Sequence, residues 1–128
     1  MKAVHKLDHA VVSGIVPEGI SGCYRLWDLK RGKFCVGYIG RSDSDLHRRL
    51  HQHVDAGVFS FFDFEVTDDI YEAFILECRE WHLLCSLIDA HLANINHPAA
   101  PQGKSYACPY CFRVNKVRQY FYNVTRGN

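Results

Sequence analysis

Apolar and polar positions change their spacing several times along the chain, and each change predicts an element. Ser21–Asp28 (SGCYRLWD) and Phe34–Gly40 (FCVGYIG) are dense in aromatic and β-branched residues. The polar, glycine-containing link Leu29–Lys33 joins them, so the pair is expected to form an antiparallel hairpin. Ser44-Asp45 is a helix-start signal, and Leu46, Leu50 and Val54 follow at every fourth position, which predicts a first helix over about 44–55. Gly57 ends it. Residues 58–67 (VFSFFDFEVT) read as a third strand, with Phe62, Phe64 and Val66 on one face and Asp63 and Glu65 on the other. Asp68-Asp69 open a second helix over about 70–93, striped by Ile70, Phe74, Trp81, Leu84 and Ile88.

The flanks lack such periods. Residues 1–20 are expected to be irregular and end in the turn Pro17-Glu18-Gly19, while Asn94–Tyr106 is a Pro/Gly/Asn loop before Cys108-Pro109-Tyr110-Cys111. Phe112–Val124 alternates well enough for a final strand. The expected architecture is α/β (α+β): a small three-stranded, mostly antiparallel sheet flanked by helices, in the order ββαβα. Three segments follow within one domain. They are an N-terminal segment 1–20, a core 21–93 and an extension 94–128 packed on the core.

Composition narrows the classes. The chain has 128 residues, 48% hydrophobic and 23% charged, enough to bury a core and incompatible with a disordered chain. No apolar run approaches the roughly 18–20 residues of a membrane span, and no signal-peptide pattern opens the chain, so a cytoplasmic, reducing location is expected. Net charge is only +1 but unevenly placed. Residues 1–89 hold ten Lys/Arg against fourteen Asp/Glu, and residues 90–128 hold five Lys/Arg and no carboxylate. A basic C-terminal part is a weak hint of a polyanion partner.

Six cysteines in a chain expected to be reduced point to metal binding before disulfides. Cys23 and Cys35 fall in strands and are expected as small core residues. Cys108 and Cys111 form a C-x₂-C half-site that needs two more ligands. Cys78 and His82, one helical turn apart, are the expected partners for zinc, with His97 as the competing fourth ligand and Cys85 and His91 as more distant options. Such a site would order a loop-rich tail, since zinc binding contributes folding free energy directly.

Two further features carry chemistry. Glu77 falls inside the apolar stripe between Phe74 and Trp81, where a carboxylate either snorkels to solvent or serves as a hard-cation ligand or an acid/base. On the first helix Arg49 and His53 share one face, His47 and His51 form a second such pair, and Arg48 adds charge. That helix reads either as a solvated basic face or as a phosphate clamp, for which guanidinium is the matching donor. Tyr24 and Tyr38 sit on neighbouring strands.

Together, Gly22-Cys23-Tyr24, Gly37-Tyr38-Ile39-Gly40, the stretch YIGRSDSDLHRRLHQH and Glu72-Ala-Phe-Ile-Leu-Glu77 resemble the GIY-YIG nuclease family over about Ser21 to Leu92. The first motif is GCY instead of GIY, the motif tyrosines stand 14 residues apart, and the family's terminal asparagine matches either Asn94 or Asn96. The resemblance implies hydrolysis of nucleic-acid phosphodiesters, DNA being the expected polymer, with one catalytic magnesium or manganese ion held by Glu77. It implies Arg49 as the group that neutralises phosphate charge, and Tyr24, with Tyr38 second, as the phenol that positions and deprotonates water. His53 would hydrogen-bond that phenol or relay its proton, and Arg41 and Arg48 would bind substrate. A phenol titrates near 10, so this role requires nearby positive charge to lower its pKa. Two other classes fit the same residues: a zinc module that binds nucleic acid without cutting, and a zinc-stapled protein-interaction domain.

Overall fold

The computed structural model describes residues 3–85 and 97–111. The far end of the expected second helix with Ile88 and His91, the side chain of Cys85, Asn94, Asn96 and the expected strand 112–124 lie outside them. The elements are β1 (His5–Lys6), α1 (His9–Ile15), β2 (Gly22–Lys30), β3 (Lys33–Ser42), α2 (Leu46–Ala56), β4 (Phe61–Val66) and α3 (Ile70–Cys85). The sheet has four strands in the order β1-β4-β2-β3, all antiparallel, instead of three. The fold is therefore α+β.

The addition comes from the N-terminal segment, which is ordered instead of irregular. His5 and Lys6 pair with Phe62 and Phe61. Asp8 then caps α1 by accepting from the Val11 amide at 2.8 Å, and Val12 and Val16 are buried beneath that helix.

Local chemistry sets the other boundaries. Arg31 and Gly32 both adopt the left-handed region, at φ 52° and 76°, and join Lys30 directly to Lys33. Two consecutive positive φ values match the twist of a two-residue hairpin. Asp45 caps α2 through the Arg48 amide and also accepts from the Gly19 amide at 3.0 Å. These bonds, that from Gly19 foremost, hold its carboxyl below the ordinary range. Gly57 ends α2 in the left-handed conformation.

Helices cover both sheet faces. Tyr24, Leu26 and Phe62 pack with Leu46 and Leu50 of α2 and Val12 of α1. On the opposite face Cys23 and Ile39 meet Leu76 and Leu84 of α3. This double covering decides what each face of β4 meets. Asp63 belongs to the face beneath α3 and is 1% exposed, while Val66 on the other face is exposed. Asp63 accepts from Trp27 Nε1 at 3.1 Å and from the Arg25 guanidinium, whose Nη1 also reaches Glu80 of α3 at 3.4 Å. The buried carboxylates are thus paired, as burial of charge requires. Cys23 is buried as expected, but Cys35 lies near the hairpin tip and is exposed. No helix among the described residues is long and apolar enough to cross a membrane.

Candidate functional site

The β2–β3 ladder places Tyr24 opposite Gly40 and Leu26 opposite Tyr38. A Cβ on residue 40 would lie 2.5 Å from the Tyr24 ring and hydroxyl and 2.8 Å from the Tyr38 ring. Only glycine lets both rings lie across that strand. The rings stack with centroids 6.1 Å apart, and Tyr24 Oη reaches His53 Nε2 in the last turn of α2 at 2.6 Å. Arg49, one turn earlier on α2, is exposed.

Strand alternation sends the next residue, Arg41, to the α3 face. Its Nη1 donates to Glu77 Oε1 at 2.7 Å, its Nε donates to Asp43 at 2.8 Å, and its guanidinium lies 5.2 Å above the Phe74 ring. Arg41, expected as a substrate-binding cation, is engaged here by two carboxylates. Arg48 is exposed on α2. Glu77 is 7% exposed, so it is buried and paired instead of snorkelling. Burial pushes its pKa up, while Arg41 opposes that rise.

The fields of these groups converge. Tyr24 is 1% exposed, and burial, followed by the neighbouring Tyr38 phenol, raises its pKa, with Arg49 working in the opposite direction. The negative charge of Glu77 acts on the same phenol and raises it further. Among the protein groups, desolvation thus outweighs Arg49 at the Tyr24 phenol. His53 moves the other way, its pKa lowered below 6.5 by burial and then by Arg49. It stays neutral at pH 7, with its Nε2 hydrogen-bonded to the Tyr24 hydroxyl. An NMR titration of the His53 ring should therefore give a midpoint below 6.5, and Arg49→Gln should raise it without restoring 6.5, because burial is the larger cause. An unchanged midpoint in that variant would show that Arg49 exerts no field at this ring.

A second cluster lies farther along α3. His82, His97, Cys108 and Cys111 place one ligand atom each within 4.8 Å of one another, and together they could hold a metal ion such as zinc. Cys111 Sγ is 3.3 Å from His82 Nε2 and 3.2 Å from His97 Nε2. Ligands on one tetrahedral zinc, with Zn–S about 2.3 Å and Zn–N about 2.0–2.1 Å, stand about 3.5 Å apart. His97 Nδ1 donates to the Pro98 carbonyl at 2.7 Å, which leaves its Nε2 lone pair facing the cluster. Cys78 is not one of the four. It is buried beside the cluster, and His97 takes the place expected for it.

No protein-family model matches the chain, and no curated protein or solved structure is significantly similar to it. The site therefore rests on its own chemistry.

Sequence patterns alone did not single out Asp43, which shares Arg41 with Glu77, or Arg25 and Glu80, which repeat the same pairing. The available signal was Glu80, a second carboxylate one turn after Glu77 on the same stripe.

Proposed function

We propose that this chain is a metal-dependent endonuclease that hydrolyses nucleic-acid phosphodiester bonds, with DNA as its polymer, on a GIY-YIG-type core extended by β1 and α1. The observation that carries the proposal is the 2.6 Å contact between buried Tyr24 and neutral His53, flanked by Arg49 and within the field of Glu77. A buried tyrosine aimed at an imidazole rather than at a backbone acceptor is more than core packing needs.

Glu77 supplies the hard oxygen donor that magnesium takes, and one carboxylate completed by waters and substrate oxygens is a usual way to hold that ion. When bound, magnesium or manganese polarises the phosphate and stabilises the departing oxygen. Arg41 keeps Glu77 ionised and oriented in the meantime. The raised pKa of Tyr24 makes it a poor base by itself. His53 is the terminal acceptor: the Tyr24 O–H bond breaks as an Nε2–H bond forms, and the freed phenol oxygen accepts in turn from its neighbour Tyr38. Tyr38 is less buried than Tyr24, and its oxygen takes the proton of the attacking water as that water's O–H bond breaks and its oxygen bonds to phosphorus. Arg49, exposed beside this relay, neutralises charge that develops on the phosphate. The His/Cys cluster takes zinc in a structural role, because its four protein ligands leave no open position.

The test is nicking of supercoiled plasmid with and without magnesium, alongside a panel of nicked, branched and single-stranded DNA and an RNA duplex. Magnesium-dependent cleavage of at least one substrate is expected. Binding without cleavage of any member would replace this proposal with a non-cutting nucleic-acid module, and neither binding nor cleavage would favour a protein-interaction domain.

A further inference from the structure

Three histidines outside the proposed active site form a chain between α1 and α2. His9 Nε2 lies 2.8 Å from Asp55 Oδ1, His9 Nδ1 lies 2.6 Å from His51 Nδ1, and His51 Nε2 lies 3.0 Å from His47 Nε2. His47 Nδ1 lies 2.8 Å from the Val16 carbonyl. Both ends of this chain are fixed acceptors. The Asp55 carboxylate has no proton to give, so His9 donates from Nε2 and its Nδ1 carries a lone pair. His51 then donates from Nδ1, and its own Nε2 carries a lone pair. From the other end, the Val16 carbonyl takes the Nδ1 proton of His47 and leaves a lone pair on its Nε2. With all three imidazoles in the neutral form, four contacts share three protons. The shortage falls between His47 and His51, where two lone pairs face each other.

We propose that these two Nε2 atoms bind a divalent late first-row transition metal ion. Residues 47 and 51 are one helical turn apart, so their rings project from the same side of α2. Their 3.0 Å separation approaches that of two nitrogens sharing one ion, whose metal–nitrogen bonds are about 2.0–2.1 Å. Neutral imidazole is the matching ligand for nickel, copper and zinc. His9 and the Val16 carbonyl act behind the ligands: each holds the far ring nitrogen, which fixes the tautomer and aims the lone pair. Around the site stand Ser13 Oγ, 3.3 Å from His51 Nε2, and Glu18 Oε1, 3.7 Å from His47 Nε2, the latter adding negative charge. Water completes the coordination on the solvent side.

The experiment uses the untagged full chain, preloaded with a single equivalent of zinc to fill the four-ligand His/Cys cluster, freed of excess zinc and kept in saturating magnesium. Nickel is titrated in while binding heat and paramagnetic broadening of backbone amide signals are followed. One further equivalent of nickel is expected, with broadening confined to residues 9–18 and 45–55. His47→Gln and His51→Gln should each weaken it about a hundredfold, and His9→Ala, which releases the His51 ring, by about tenfold. No further equivalent, affinity unchanged by His51→Gln, or broadening centred elsewhere would overturn the proposal. The broadening map of the unsubstituted chain decides the matter even where a variant folds poorly.

Discussion

Glu77→Gln should reduce magnesium-dependent cleavage by about 10³-fold, the upper end of what losing one electrostatic partner of a transition state costs. The amide is almost the same size as the carboxylate but carries no charge for a cation. The fold should survive the exchange, because Asp43 continues to hold the Arg41 guanidinium at 2.8 Å. Glu80→Gln is the matched control. Glu80 is equally buried on the next turn of α3, and its partners are Arg25 and Arg79, which lie outside the proposed relay. It should lower thermal stability while leaving the cleavage rate per folded molecule unchanged. Plasmid nicking and a melting curve on both variants settle the assignment: wild-type cleavage by Glu77→Gln, or equal loss of cleavage in both, would remove Glu77 from the site.

If the His/Cys cluster binds zinc, its chelation should lower Tm by roughly 10–20 °C. A ligand present at a thousand times its Kd stabilises the folded state by about 4 kcal/mol. For a chain of 128 residues each kcal/mol corresponds to about 3–5 °C. Cys111→Ser should reproduce the effect, since Cys111 Sγ adjoins both histidines. Cys78→Ser should retain stoichiometric zinc, because Cys78 lies outside the four-membered cluster. Zinc content by mass spectrometry and melting with and without chelator check both statements; a Tm indifferent to chelator would exclude a structural metal.

The hairpin, α2 and β4 were legible in the sequence because their signals are local. A glycine turn, an aspartate cap and a left-handed glycine at the helix end each act within a few residues. β1 and α1 escaped because two and seven residues are too short to display a period; the Asp8 cap followed by Val11 and Val12 was the only trace. Alternation along β4 placed Asp63 correctly on one face but carried no information about what covers it, and α3 buries that face. At the candidate site the motif residues Tyr24, Tyr38 and His53 were named and do meet. Their electrostatics were not legible: the direction of the Tyr24 shift depends on how deeply the fold buries it, which no spacing rule contains. The same holds for the metal cluster. Helical spacing put Cys78 and His82 side by side and left His97 as the competing ligand; the path of the chain through Pro98 is what brings His97 in and leaves Cys78 out.

Helix α3 carries Glu77 on one turn and His82 on the next, so their relative phase is set by the backbone alone. Each residue turns the helix by about 100°. A single deletion between them would swing the metal ligand to another side of the helix while Glu77 kept its place against Arg41. This stretch can accept changes of residue identity, Arg79 on its exposed face being the obvious position, but not changes of length. The Arg31-Gly32 tip has the opposite character: it is exposed and bears on neither cluster, so it is the place where the chain can be lengthened, split or fused to another domain without disturbing either.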